Sequence, residues 1–147
     1  ETMMDEERAS GVTKRPTILF VEDDAIVRRA AVRNLEGRGF VVLPSANAEE
    51  ALHALKARGD DIDVLITDVV LPKMDGRTLV EKMSARYPHI AVLYTSGYTD
   101  DDVLRYGISS AEVSFLQKPY TIRHLVKRVR ELIEARASGS KDHAFGG

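Results

Sequence analysis

The 147 residues contain no cysteine. That excludes disulfides, thiolate metal sites, iron–sulfur clusters and a cysteine nucleophile, and it fits a reducing compartment. No apolar run approaches the ~20 residues that cross a bilayer. Neither a Gly-x-Gly-x-x-Gly nor a P-loop occurs, which disfavours nucleotide binding. A large excess of one charge is missing too: 21 basic and 23 acidic residues leave a net charge of −2. That balance argues against a general nucleic-acid binder, although it permits a local basic face. Glu1 to Gly11 is polar and acidic, so it is no signal peptide. The chain starts with Glu1, not Met, and is expected to be processed, tagged or cut from something longer. His53, His89, His124 and His143 are widely spaced, none in a metal-ligand pattern.

What is present is an ordinary globular composition, 44% hydrophobic and 30% charged. At about 150 residues per domain, the length predicts one domain. Residues 1–15 lack periodicity and residues 137–147 are small and polar, so both are expected to be unstructured flanks of a domain spanning 16–136. Within it, apolar runs alternate with helical patterns. Strands are expected at Thr17–Val21, Phe40–Leu43 (closed by Pro44), Asp63–Thr67, Ile90–Tyr94 and Val113–Gln117. Asp24 caps a first helix with Val27, Ala31 and Leu35 on its apolar face. Asn47 and Glu50 form a capping box for the second, which Gly59 stops. A third carries Leu79, Val80 and Met83 and ends at Tyr87 before Pro88. Thr99 opens a short fourth, and Thr121 opens the last, with Ile122, Leu125, Val126, Val129, Leu132 and Ile133 on one face. The order is (βα)5. Strands that are apolar throughout, joined by helices, predict a parallel sheet covered on both sides. Five units are too few for the eight-fold barrel, which leaves a doubly wound α/β sheet.

In that fold, sites form at the carboxyl ends of the strands. There the sequence places Glu22, Asp23 and Asp24 after strand one, Asp68 after strand three, Thr95-Ser96-Gly97 after strand four and Lys118-Pro119 after strand five. Singly, each has an ordinary explanation: a helix cap for Asp24, first-turn acids for Glu22 and Asp23, a turn for Asp68, a solvated lysine for Lys118. Together they are a constellation. Three carboxylates about 5 Å apart repel at roughly 3 kcal/mol per pair at an effective dielectric of about 20. Such a cluster takes up protons or binds a cation, and a hard divalent ion such as Mg²⁺ answers it. A shielded carboxylate facing a metal, a hydroxyl and an ammonium suits phosphoryl transfer onto Asp68.

These motifs, with Asp75-Gly76 and Tyr120, resemble the receiver domains of two-component response regulators. The resemblance covers about residues 16–136 and implies the flavodoxin-like strand order 2-1-3-4-5. It implies that Glu22 and Asp23 are the metal-binding pair, that the Val70 carbonyl is a further ligand, and that Asp68 is the phosphoacceptor. It also implies switch roles for Ser96 and for Phe115, where many receivers carry tyrosine, and a cis peptide bond before Pro119. A histidine kinase or histidine phosphotransfer domain is the implied donor. The face built from the fourth helix, fifth strand and fifth helix is the implied signalling surface and a candidate homodimer interface. Val70 and Tyr98 flank the path of a hydrolytic water, and neither orients one, so a fairly long-lived acyl phosphate is expected. The stretches 92–100 and 115–121 are similar to receivers at the C-terminus of hybrid sensor histidine kinases. This implies a cytoplasmic segment without membrane or nucleic-acid contact and without turnover activity beyond its own phosphorylation and dephosphorylation. Alternatives are a stand-alone receiver or phosphate sink, a pseudo-receiver that never takes phosphate, and an aspartyl-phosphate phosphatase. Phosphatases of the haloacid dehalogenase type want a second aspartate at the position of Val70, and the intact acid, hydroxyl and lysine set argues against a pseudo-receiver. Arg123, His124, Lys127, Arg128 and Arg130 are read as a solvated helix face in preference to a docking surface for an acidic partner.

Overall fold

Alternation along the first strand sets the architecture. In β1 (Thr17–Val21) every residue is buried. Ile18 and Phe20 enter one apolar cluster, whereas Leu19 and Val21 enter another. A strand apolar on both faces needs a cover on each side. The structure, a computed structural model, describes residues 15–97 and 114–146, with side chains through residue 137. After β1 come α1 (Ala25–Glu36), β2 (Val41–Ser45), α2 (Ala48–Arg58), a 3₁₀ turn (Gly59–Asp61), β3 (Val64–Asp68), α3 (Gly76–Arg86), β4 (Ala91–Ser96), β5 (Ser114–Gln117) and α4 (Ile122–Gly146). The five parallel strands lie in the order β2-β1-β3-β4-β5, as expected for the doubly wound sheet. Leu35 of α1 and Leu125 and Val129 of α4 pack on Ile18, Phe20, Ile66 and Leu93. Leu55 of α2 and Leu79 and Met83 of α3 pack on Leu19, Val21 and Leu65. Each such fully buried side chain contributes roughly 1.5–3 kcal/mol.

Local chemistry matches most of the expected boundaries. The Asp24 carboxylate accepts from the N–H groups of Ile26 (2.9 Å) and Val27 (3.0 Å) and starts α1. Gly39, at φ +97°, takes the left-handed turn after it, a conformation that costs glycine nothing. Asn47 caps α2 by accepting from the Glu50 N–H at 2.8 Å, but Glu50 reaches back to the Ala46 N–H, one residue beyond the reciprocal box. Asp75 caps α3, and the Thr121 hydroxyl accepts from the His124 N–H at the start of α4.

Five features differ from those expected. Pro44 lies inside β2 rather than closing it. The Val41 N–H donates to the Pro16 carbonyl and the Ser45 carbonyl accepts from the Glu22 N–H, so residues 41 and 45 face β1. By alternation Pro44 faces the open edge, where no ladder bond needs its missing N–H. Strand four runs on to Ser96, and strand three takes in Asp68. Val27 is 41% exposed and stays out of the core. The backbone of α4 is helical through Gly146, beyond the expected start of a tail at residue 137. Small polar composition does not forbid a helix, and that stretch contains no proline. The expected fourth helix from Thr99 and the start of strand five at Val113 lie outside the described residues. Among the described residues, no helix is long and apolar enough to cross a membrane.

Candidate functional site

Four strand ends deliver polar groups to one cleft of about 520 Å³, lined by Glu22, Asp23, Asp68, Val70, Thr95, Ser96 and Lys118 among others. The β1 ladder ends where the Glu22 N–H donates to the Ser45 carbonyl at 3.0 Å. This buries Glu22 to 3% exposure and turns its carboxylate inward. Oε2 accepts from the Asp24 N–H at 3.1 Å and Oε1 from Lys118 Nζ at 2.9 Å. Behind it, Arg28 Nη1 donates to the Glu22 carbonyl at 2.6 Å and ties the acidic loop to α1. Burial raises the Glu22 pKa, and the charge of Asp68 adds to that; the Lys118 hydrogen bond offsets only part.

Asp68 ends β3 and is 7% exposed. The loop beyond it is held hard against the strand. The Gly76 N–H donates to the Val69 carbonyl at 2.8 Å, and a Cβ at Gly76 would lie 2.1 Å from the Asp68 carbonyl oxygen. Only glycine fits there, so α3 starts directly against the backbone of Asp68. The Asp68 carboxylate receives Lys118 Nζ at 2.9 Å on Oδ1 and 3.2 Å on Oδ2, and the Thr95 hydroxyl at 2.5 Å on Oδ1. Lys118 is placed by its own N–H, which donates to the Ser96 carbonyl at 2.7 Å, and the following bond to Pro119 is cis, as expected. Burial pulls the Lys118 pKa down, but the hydrogen bonds and charges of Glu22 and Asp68 outweigh it and hold the ammonium above its ordinary value.

One carboxylate oxygen from each of Glu22, Asp23 and Asp68 lies within 4.8 Å of the others. Three formal negative charges against the single Lys118 leave −2, from oxygen donors only, two of them buried. That donor set fits a hard divalent ion such as Mg²⁺. Ser96 is 3% exposed beside it, and Val70 is 37% exposed on the rim. Phe115 sits apart from the cleft: its ring packs against the cluster of Val69 and Tyr94, and its carbonyl accepts from Arg128 Nη1 at 2.9 Å. Burial pushes the Tyr94 phenol beside it up to about 12. Tyr98 lies outside the described residues.

Two contributors were not legible in the sequence. Thr95 reaches Asp68 because β3 and β4 pair Asp68 with Thr95 in register, a relation the sequence does not carry. Ile26 (76% exposed) and Val27 line a second cleft of about 660 Å³ between α1 and the start of α4, and it shares Gly97 and Lys118 with the first.

The family model described as response regulator receiver domain matches residues 18–130. The sensor kinase CckA of Brucella abortus (strain 2308) is 36% identical over 128 residues, which is 87% of this chain and 14% of that protein. A cyclic di-GMP phosphodiesterase of Thermotoga maritima is 30% identical over 120 residues, 82% of this chain and 32% of that one. This chain therefore spans a third or less of these two curated relatives. Among solved structures, the receiver domain from the hybrid histidine kinase CckA superposes with TM-score 0.68 at 38% identity, covering 80% of this chain and 98% of that one. The signal receiver domain of an HD domain-containing protein from Pseudomonas fluorescens Pf-5 gives 0.75 at 26% identity, covering 85% and 99%. Fold, strand-end chemistry and these likenesses converge: the chain belongs to the response regulator receiver domain family.

Proposed function

We propose that Asp68 accepts a phosphoryl group from a phosphohistidine, with Glu22, Asp23, Asp68 and the Val70 carbonyl holding Mg²⁺. The observation that carries this is the shared ammonium: Lys118 bridges Glu22 and Asp68 at 2.9 Å each, within a close cluster of three carboxylates. Bound Mg²⁺ supplies charge neutralisation for the transferring oxygens. An oxygen of the Asp68 carboxylate forms the new P–O bond. The P–N bond to the donor imidazole breaks, and its electron pair stays on that nitrogen. Lys118 neutralises the oxygens of the transferring group and Ser96 donates to one of them. Ser96 and Phe115 then carry the switch, without a hydroxyl on the aromatic. Residues 16–136 form the working unit.

The exposed Ile26 and Val27, on the cleft that shares Lys118 with the acidic one, support docking of an apolar helical face of the donor beside Asp68. The donor is a histidine kinase or histidine phosphotransfer domain. We read the segment as the cytoplasmic receiver of a hybrid sensor histidine kinase, without nucleic-acid or membrane contact of its own; a stand-alone receiver or phosphate sink is the second reading. Homodimerisation would use the face of the fourth helix, β5 and the last helix. The test is intact mass after incubation with acetyl phosphate, with Mg²⁺ or with chelator. One added phosphoryl group, dependent on Mg²⁺ and absent from Asp68→Ala, is expected. Phosphorylation of Asp68→Ala at the wild-type rate overturns the assignment.

A further inference from the structure

The two oxygens of the Asp68 carboxylate are not equivalent. Oδ1 accepts the Thr95 hydroxyl at 2.5 Å and lies 2.9 Å from Lys118 Nζ as an ion-pair contact, whereas Oδ2 accepts the Lys118 hydrogen bond, at 3.2 Å. The Thr95 bond is at the short end of the range for a hydroxyl on a carboxylate, and it is buried: Thr95 is 3% exposed and Asp68 7%. It is also built into the sheet, since the β3–β4 register sets the two residues side by side and the Val69 N–H donates to the Thr95 carbonyl at 2.9 Å. From this geometry we infer that Thr95 is a catalytic residue for loss of the phosphoryl group from Asp68, and not for its gain. The inference rests on the phosphoacceptor reading above.

With the short Thr95 bond and the nearer ammonium contact on Oδ1, Oδ2 is the less tightly held oxygen, and in this proposal it forms the bond to phosphorus. Oδ1 is left as the carbonyl oxygen of the acyl phosphate, still facing Thr95. Phosphoryl transfer passes through a loose transition state, in which the incoming oxygen has scarcely bonded and the leaving oxygen has nearly departed. During phosphorylation Asp68 is the incoming group and keeps almost its full charge. The Thr95 bond is then equally strong before and at the transition state, and it cancels. During dephosphorylation Asp68 is the leaving group. The P–Oδ2 bond breaks with its electron pair returning to the carboxylate, while the oxygen of water, or of another acceptor, bonds to phosphorus. With water as acceptor its protons end on inorganic phosphate and solvent. Here Oδ1 passes from a neutral carbonyl to a carboxylate oxygen. Hydrogen bonds to charged acceptors are roughly twice as strong as those to neutral ones, so the Thr95 bond strengthens as the barrier is climbed.

Thr95→Val keeps the shape and removes the donor; Thr95→Ala removes it with less bulk, and Thr95→Ser keeps it. Phosphorylation of each by acetyl phosphate with Mg²⁺ is followed by intact mass, then decay after donor removal, in Mg²⁺ and in chelator. In Thr95→Val and Thr95→Ala the rate of phosphoryl gain is expected to change less than the rate of loss. Their decay should be about tenfold slower, equivalent to about 1.4 kcal/mol, by the same factor in both buffers. Thr95→Ser should decay as wild type. Decay of both donor-free variants at or above the wild-type rate overturns the inference. So does a parallel fall in gain and loss, which is what mere misplacement of Asp68 produces. If wild type gains no phosphoryl group, the phosphoacceptor reading fails and this inference with it; if wild type is phosphorylated and only the asymmetry is missing, the inference alone fails.

Discussion

Strand β3 has an aspartate at each end, and the two do opposite work. Asp63, just before the strand, accepts the Thr17 N–H on Oδ2 at 2.8 Å, while its own backbone joins Thr17 and Ala91. It is a stitch between β1, β3 and β4: one carboxylate oxygen bonded to a neutral donor. Asp68, five residues on, shares one ammonium with Glu22 and has a carboxylate oxygen within 4.8 Å of one each from Glu22 and Asp23. The residue type is the same; what differs is the charge nearby and whether a donor is left to share. The amino edge of the sheet satisfies its acids one by one, whereas the carboxyl edge leaves its acids short of positive charge.

The largest effect expected from breaking this contrast is on chemistry. Asp68→Ala should lose phosphoryl acceptance entirely, whereas Asp63→Ala should keep it and lose about 1 kcal/mol of stability in urea unfolding. A variant at position 63 that lost phosphorylation while folding normally would erase the distinction between the ends.

Removing the shared cation comes next. Lys118→Met leaves Glu22 and Asp68 buried without their ion-pair partner and should cost on the order of 3 kcal/mol at pH 7. The sign of its pH dependence follows from Glu22, whose folded pKa is already raised above 4.5 by burial. A raised carboxyl pKa favours folding at low pH and is a burden at high pH. The variant should therefore regain stability as pH falls from 7 toward 4.5, read as unfolding midpoints along that range. A midpoint that drops with pH as steeply as in wild type contradicts this.

A smaller effect is expected from relieving repulsion. Asp23→Ala should gain about 1 kcal/mol or less in chelator, because one of three like charges has gone. It should also lose the stabilisation by added Mg²⁺ that wild type shows. An unchanged Mg²⁺ response removes Asp23 from the ligand set. The smallest effect concerns the rim: Val70→Asn with Tyr98→Glu should speed loss of phosphate severalfold, by giving an attacking water something to bond to. Equal or slower decay would show that these side chains do not gate the water.

Much of this was legible in the sequence, for a physical reason. Doubly buried strands are continuous apolar runs, so their ends are sharp, and Glu22, Asp23, Asp68, Ser96 and Lys118 all stand at such ends. The cleft followed from them, whereas the strand order rested on the family resemblance. What depends on register or helix phase did not follow. Thr95 meets Asp68 through the pairing of β3 with β4. Val27, Ala31 and Leu35 recur every four residues, but at 3.6 residues per turn each step drifts by about 40°. Val27 thus turns about 80° away from buried Leu35 and out toward the cleft. The stretch 137–146 was misjudged because composition reports the lack of an apolar face, not the lack of a helix.

Pro44 bears on how the molecule behaves in a crowd. On β2, residues 42 and 44 point their backbone away from β1, so the open margin of the sheet offers an N–H at Val42 and none at Pro44. A second extended chain trying to zip along that margin finds its hydrogen-bond ladder interrupted after one rung. The proline therefore acts as a guard against aggregation on a strand that opens with two valines, both strong sheet formers. It does so at no cost to the sheet, because the bond it cannot make is one that only a stranger would have used.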